Sequence, residues 1–234
     1  MAALIDVRAL EFRYPDGTEA LRGVDLSVSA GETLILLGAN GSGKTTLLLH
    51  LNGLLQATAG FITVCDLAVV SANFPAIRNK VGFVFQDADD QLFMPTVLED
   101  VAYGLLNRGM APEAARAAAQ RALEQVELSH AAERAPYHLS GGEKRRAALA
   151  GVLAMEPEIL IFDEPTTALD PPAQRRLAGL MGRLGQTKIV STHDAAFARA
   201  VGGRAVFFER GKVAGEGPVD EVIRKFDWEA HLET

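Results

Sequence analysis

Apolar and polar positions trade places along the first thirty residues. Leu10, Phe12 and Tyr14 alternate with polar neighbours, and Val24, Leu26 and Val28 do so again after Pro15-Asp16-Gly17. A period of two on either side of a turn signal predicts two half-buried antiparallel strands. The pattern then changes: Thr33-Leu34-Ile35-Leu36-Leu37 is continuously apolar, as expected of a strand covered on both faces, and a helical segment follows over 46–51. Short apolar runs at 61–64, 81–85, 159–162, 188–191 and 205–208 read as further strands, and helical periodicity marks 171–184, 195–201 and 219–226. Alternation of strand and helix predicts an α/β fold with a mostly parallel core sheet beside the antiparallel β segment.

Three helices interrupt this alternation. Thr96 and Glu99 form a capping box that opens a helix over 97–106, and Pro112 stands at the first turn of an alanine-rich helix over 113–128. In the second helix Ala115, Ala118, Ala122 and Val126 make a stripe expected to face the body. Ser140 and Glu143 make another capping box, opening a helix that runs to about residue 155. The helices are expected to form an inserted α-helical subdomain, about 87–156, within one domain spanning 1–234.

Composition narrows the partners. The 234 residues carry a net charge of −7, and Lys144-Arg145-Arg146 is too small a cluster to attract a nucleic-acid backbone, so no nucleic acid is expected. A single cysteine, Cys65, forms no intrachain disulfide and reads as a structural, unreactive thiol in a reducing compartment. The opening residues mix an acid and a base where a secretory signal would be apolar, and no apolar run approaches the roughly 20 residues of a membrane-crossing helix. A cytoplasmic protein that meets membranes only through partners is the expectation.

The chemistry begins at Gly38-Ala39-Asn40-Gly41-Ser42-Gly43-Lys44-Thr45, set between a buried strand and a helix. Glycines at 38, 41 and 43 let backbone N–H groups wrap phosphate oxygens, while Lys44 can reach the β and γ phosphates and Thr45 offers an oxygen to Mg²⁺. Ile159-Leu160-Ile161-Phe162-Asp163-Glu164 is a buried strand ending in two carboxylates, an expensive arrangement unless a cation or a reaction uses them. Asp163 suits Mg²⁺ and Glu164 suits activation of water. Two glycines in the first turn of the helix after Ser140 weaken it by roughly 1 kcal/mol each, which close approach of a phosphate would offset. Asp170 before Pro171 reads locally as a helix N-cap.

Taken in order, the glycine loop, Gln86, Leu139-Ser140-Gly141-Gly142-Glu143, Asp163-Glu164, Ala168-Leu169-Asp170 and His193 resemble the pattern of ABC-type ATPases over nearly the whole chain. The resemblance implies a P-loop NTPase fold and a head-to-tail dimer with ATP and Mg²⁺ at the seam. In it, Asn40, Ser42, Gly43, Lys44, Thr45 and Thr46 of one subunit would hold the nucleotide, and Ser140, Gly141 and Gly142 of the other would touch the γ-phosphate. It further implies that Tyr14 stacks on adenine, that Gln86 touches Mg²⁺ and the attacking water, that His193 holds the γ-phosphate, and that Asp170 lies at the seam. Each has a local alternative: an edge-strand aromatic for Tyr14, a solvated loop for Gln86, a helix-cap neighbour for His193 and the N-cap for Asp170. A P-loop GTPase would need an Asn/Thr-Lys-x-Asp guanine reader, and Asn79-Lys80-Val81-Gly82 lacks the aspartate.

More narrowly, Val84-Phe85-Gln86-Asp87-Ala88-Asp89-Asp90-Gln91-Leu92-Phe93 followed by Thr96-Val97-Leu98-Glu99-Asp100-Val101-Ala102 looks like the ATPases of energy-coupling factor transporters, above all the cobalt and nickel branch. Ala88 stands where that pattern often has proline, and Glu143 where it commonly has glutamine. An end at Thr234, without the longer extension of many vitamin-branch ATPases, favours metal uptake. The resemblance implies a second ATPase subunit, most simply an identical copy, and integral membrane coupling and substrate-binding subunits. It places the chain peripherally on the cytoplasmic face of the cell membrane, with Asp89, Asp90 and Gln91 gripping a helix of the membrane partner.

Overall fold

The computed structural model describes residues 3–228, so residues 1, 2 and 229–234 of the expected 1–234 domain lie outside the described residues. Strands β1 (Ala3–Arg13) and β2 (Glu19–Ser29) form the expected antiparallel pair. Strand β3 (Thr33–Leu37) leads into α1 (Lys44–Leu51). β4 (Ala59–Val64) and the two-residue β5 (Leu67–Ala68) complete a four-stranded sheet in the order β2-β1-β4-β5. Helix α2 (Phe74–Lys80) then precedes β6 (Val81–Val84).

Three helices follow: α3 (Val97–Asn107), α4 (Pro112–Gln125) and α5 (Gly141–Ala154). The chain returns through β7 (Ile159–Asp163), α6 (Pro171–Arg183), β8 (Thr187–Thr192), α7 (Ala195–Val201), β9 (Arg204–Glu209), β10 (Lys212–Pro218) and α8 (Val219–Lys225). The second sheet runs β10-β9-β3-β8-β7-β6, parallel throughout except for the antiparallel edge strand β10.

That six-stranded sheet divides the core. Leu34 and Leu36 of β3 and Ile159 and Ile161 of β7 pack toward the antiparallel sheet and α1, whereas Ile35, Leu37, Leu160 and Phe162 pack toward the helices. Successive side chains point to opposite faces, so a strand covered on both must be apolar at every position, which is why these runs do not alternate. Parallel pairing also aligns the C-terminal ends of β3, β7 and β8, so the glycine loop, Asp163, Glu164 and His193 gather along one edge of the sheet.

Both capping boxes form: Thr96 with Glu99 at α3 and Ser140 with Glu143 at α5. The stripe on α4 is rotated from the expected one. Ala115, Ala119, Ala122 and Leu123 are buried, whereas Ala118 is only partly so. Steps of four from Ala115 through Ala119 to Leu123, with Ala122 beside them, keep these four side chains on one helix face. The helix also stops at Gln125 instead of 128, because Glu127 takes a left-handed conformation, φ 58°, that ends it. Cys65 is partly buried, and burial first, then the nearby Glu158 carboxylate, pushes its thiol up to about 11, consistent with an inert side chain.

Candidate active site

The loop between β3 and α1 is shaped by close backbone approach. Gly38 has φ 147°, and a Cβ there would lie 2.3 Å from the Phe208 carbonyl oxygen. Gly43 has φ 110°, and its Cβ would lie 2.6 Å from the Ala20 carbonyl oxygen. Only glycine fits either position. Helix α1 starts at Lys44, so the free N–H groups of its first turn and the loop amides form an anion cradle.

Lys44 is 5% exposed; its Nζ donates to the carbonyls of Gly38 at 2.6 Å and Ala39 at 3.0 Å and lies 3.4 Å from Glu164 Oε1. Burial lowers the pKa of this ammonium, and the Glu164 and Asp163 carboxylates act against that shift. Loop carbonyls hold the cation where a phosphate oxygen would compete for it.

At the end of β7, Asp163 Oδ1 accepts hydrogen bonds from Thr45 Oγ1 at 3.0 Å and Ser191 Oγ at 2.6 Å. Burial raises the pKa of this 4%-exposed carboxyl, while the two hydroxyl donors pull it back. Glu164 follows with φ 43°, a left-handed turn costing about 1 kcal/mol for a non-glycine residue. The turn answers how adjacent strand residues can line one crevice: it swings Glu164 out of alternation. Its amide is held by the carbonyl of Ser191 at 3.1 Å and by Ser191 Oγ at 2.9 Å. Glu164 Oε2 meets His193 Nδ1 at 2.9 Å, and Oε1 is buried without a hydrogen bond.

Other expected residues lie around this nucleus. Tyr14 is partly buried, its hydroxyl 3.0 Å from Thr46 Oγ1 and its ring edge-on to Phe12. Asn40 and Gly41 are exposed, while Ser42 is buried with an unpartnered Oγ; all three line a hollow of about 540 Å³. Gln86 has an exposed side chain and shares a cleft of about 510 Å³ with Asp163 and Gly141. Ser140, Gly141, Gly142 and Asp170 line another hollow of about 580 Å³ with Arg146 and Arg176. Asp170 caps α6, accepting from the Ala173 amide at 2.8 Å. The fold thus bonds Lys44, Thr45, Asp163, Glu164 and His193 together, and groups Ser140, Gly142 and Asp170 elsewhere on the same chain.

Three contributors escaped sequence reasoning. Ser191 ties the Asp163 carboxylate and the Glu164 amide to β8, and no local pattern marks a serine inside an apolar strand. Arg145, buried in α5, donates to the carbonyls of Phe85 at 2.6 Å and Gln86 at 2.7 Å, fixing the loop that carries Gln86. Trp228 donates its indole N–H to the His193 carbonyl at 2.9 Å. None of the three carries a local sequence signal, and Arg145 reads in the sequence only as part of the Lys144-Arg145-Arg146 cluster.

A family model described as ABC transporter matches residues 21–167, more than half of the chain. The energy-coupling factor transporter ATP-binding protein EcfA of Methanosphaera stadtmanae is 46% identical over 199 residues, covering 83% of this chain and 72% of that protein. Among solved structures, cbiO1 from Clostridium perfringens, part of the ABC transporter complex cbiONQ, superposes with a TM-score of 0.88 at 34% identity, covering 97% of this chain and 92% of that one. The ATP-binding cassette MJ0796, in a dimeric post-hydrolysis state bound to ADP and Pi, gives a TM-score of 0.82 at 31% identity over 92% of this chain and 98% of its own.

Proposed function

Because the chain belongs to the ABC transporter family, as an ATP-hydrolysing, ATP-binding subunit, we propose that it powers an energy-coupling factor importer whose cargo is cobalt or nickel ion. The observation that carries the catalytic part is the bonded chain Lys44–Glu164–His193, which stands beside Asp163 and Thr45 at the rim of the anion cradle.

Lys44 leaves the loop carbonyls for the β and γ phosphates, and the loop amides take the remaining oxygens, with Asn40, Gly41, Ser42, Gly43 and Thr46 shaping the cradle. Tyr14, held to the first turn of α1 through Thr46, offers its ring to adenine. Glu164, oriented by His193, accepts a proton from water as the water oxygen bonds to the γ-phosphorus and the bridging oxygen departs with ADP. His193 keeps a half-exposed ring free to meet the γ-phosphate.

Thr45 and Asp163 fit a hard cation: two oxygen donors 3.0 Å apart, one a buried carboxylate. Among the described residues no group of three or more His, Cys, Asp or Glu could cage a metal, so the donor set suits an ion shared with phosphate. With Gln86 at the rim they would hold Mg²⁺, which supplies charge neutralisation at the β and γ phosphates.

Two identical copies would complete the site, the α5 N-terminus with Ser140, Gly141 and Gly142 of one closing on the cradle of the other, and Asp170 at the seam. The dimeric MJ0796 cassette supports this arrangement. Helices α3, α4 and α5 share one apolar cluster, which supports reading 87–156 as the inserted helical subdomain of a single domain. Among the described residues no helix is long and apolar enough to cross a membrane. In this reading, attachment to the cytoplasmic face falls to integral membrane subunits, engaged near Asp89, Asp90 and Gln91. Similarity to EcfA and to a cbiONQ component supports the importer class, and the 84–93 segment supports the metal cargo.

Glu164→Gln should bind ATP, lose turnover and accumulate as a closed dimer on gel filtration; turnover at the wild-type rate would overturn the role of Glu164. Uptake of radioactive cobalt, nickel and vitamins by cells carrying the complete transporter tests the cargo, and vitamin uptake alone would reassign it.

A further inference from the structure

The aromatic residues near the end of the described chain take no part in the chemistry above, yet they reach back to it. Trp228 is 6% exposed and bonds the His193 carbonyl across 35 positions of sequence. Its indole stands edge-on to Phe207 of β9, with centroids 5.2 Å apart and planes at 75°. Phe207 in turn lies flat against Phe226, centroids 4.1 Å apart. Strand β10 makes room for that stack, since a Cβ on Gly215 would lie 2.9 Å from Phe226 Cζ. The indole is therefore held by a built aromatic seat.

What the indole holds is the turn that carries His193. The His193 ring and its amide both address Glu164 Oε2, at 2.9 Å and 3.3 Å, and Asp194 caps α7 immediately afterwards. The ring itself is 43% exposed, so packing confines it only in part. Its direction therefore follows from its backbone, which Glu164 grips at the N–H and Trp228 at the C=O. We propose that Trp228 is a positioning residue for ATP hydrolysis: its indole N–H fixes the His193 backbone so that the imidazole stays aligned with Glu164. The inference rests on the catalytic role given to the His193–Glu164 pair.

A tryptophan that matters only for packing acts through its bulk, whereas a positioning one acts through its N–H. In the full-length chain, Trp228→Phe should lower kcat about fivefold, the worth of one neutral hydrogen bond, and leave the KM for ATP within about twofold. Added to His193→Ala, it should cause no further loss, because the group it aligns is gone. Trp228 is the only tryptophan, so replacing tryptophan by benzothienylalanine exchanges the N–H for sulfur at this site alone. That analogue preserves the ring shape, decides the matter if the phenylalanine variant does not fold, and should show the same fall in kcat with a melting temperature lowered by only about 2–4 °C, the structural share of one neutral hydrogen bond. Wild-type kcat in the analogue, or losses that add in the double variant, would overturn the inference. Should His193→Ala itself turn over ATP at the wild-type rate, the role of His193 falls, a result distinct from failure at Trp228 alone.

Discussion

Ser191→Ala tests whether the Asp163 carboxylate and the Glu164 backbone are held from β8. The Ser191 hydroxyl is fully buried, donates to Asp163 Oδ1 at 2.6 Å and accepts from the Glu164 amide at 2.9 Å. The amide keeps a second acceptor, the Ser191 carbonyl at 3.1 Å, so most of the loss falls on Asp163. A hydrogen bond to a buried charged group contributes about 1.5–3 kcal/mol, and the missing oxygen leaves too little space to add much. A loss of about 2 kcal/mol in a chain of this size lowers the melting temperature by roughly 4–8 °C. The chemical consequence has a sign as well. Burial already raises the Asp163 pKa and the serine hydroxyl is the largest influence lowering it, so its removal moves that pKa further up. Protons then compete better with Mg²⁺, and half-maximal ATP turnover should need more Mg²⁺, increasingly so as the pH falls. Calorimetric melting together with Mg²⁺ titrations of turnover at two pH values checks both parts. A melting temperature within 1 °C of wild type, with superimposable Mg²⁺ curves, would refute the reasoning.

Glycine substitutions in the cradle should separate clash from backbone conformation. Gly38→Ala meets the Phe208 carbonyl oxygen at 2.3 Å and should lower the melting temperature by roughly 5–15 °C, while Gly41→Ala, with φ 77° and nothing within 4 Å, should lose only about 2–4 °C. Equal losses would mean that the Phe208 strand yields freely. At the start of α5, the Ser140 amide and hydroxyl hold the Glu143 carboxyl down to about 2, from an ordinary value of 4.5. A depressed folded-state value stabilises above about pH 4.5 and stops doing so as the pH falls toward 2, so the stability gap between wild type and Glu143→Gln in urea titrations should narrow from pH 6 to pH 3.5. A constant gap would show that the charge contributes nothing to the cap.

Determined by the sequence alone were the features whose physical cause lies within a few residues. Apolar runs and period-two alternation located β1, β2, β3 and β7, the two capping boxes fixed the starts of α3 and α5, and the glycine loop with its flanking strand and helix announced the phosphate cradle. Asp163 and Glu164 were legible as a pair because two carboxylates ending a buried strand demand a reason. Strand β10 was not: its glycines and alternating half-exposed polar residues give an edge strand little apolar signal. Nor was helix α2, only seven residues long with a proline at its start.

Tertiary structure alone decided which strands are neighbours, which face of α4 turns inward, and which distant groups hold Asp163, Glu164 and His193. Ser191 lies 28 positions from Asp163, Trp228 lies 35 from His193 and Arg145 lies 60 from Phe85. Local conformational preference does not distinguish one serine, arginine or tryptophan from another at such separations. Only the folded sheet, by lining up the ends of β3, β7 and β8, makes these particular ones partners of the carboxylates, the histidine and the loop that carries Gln86.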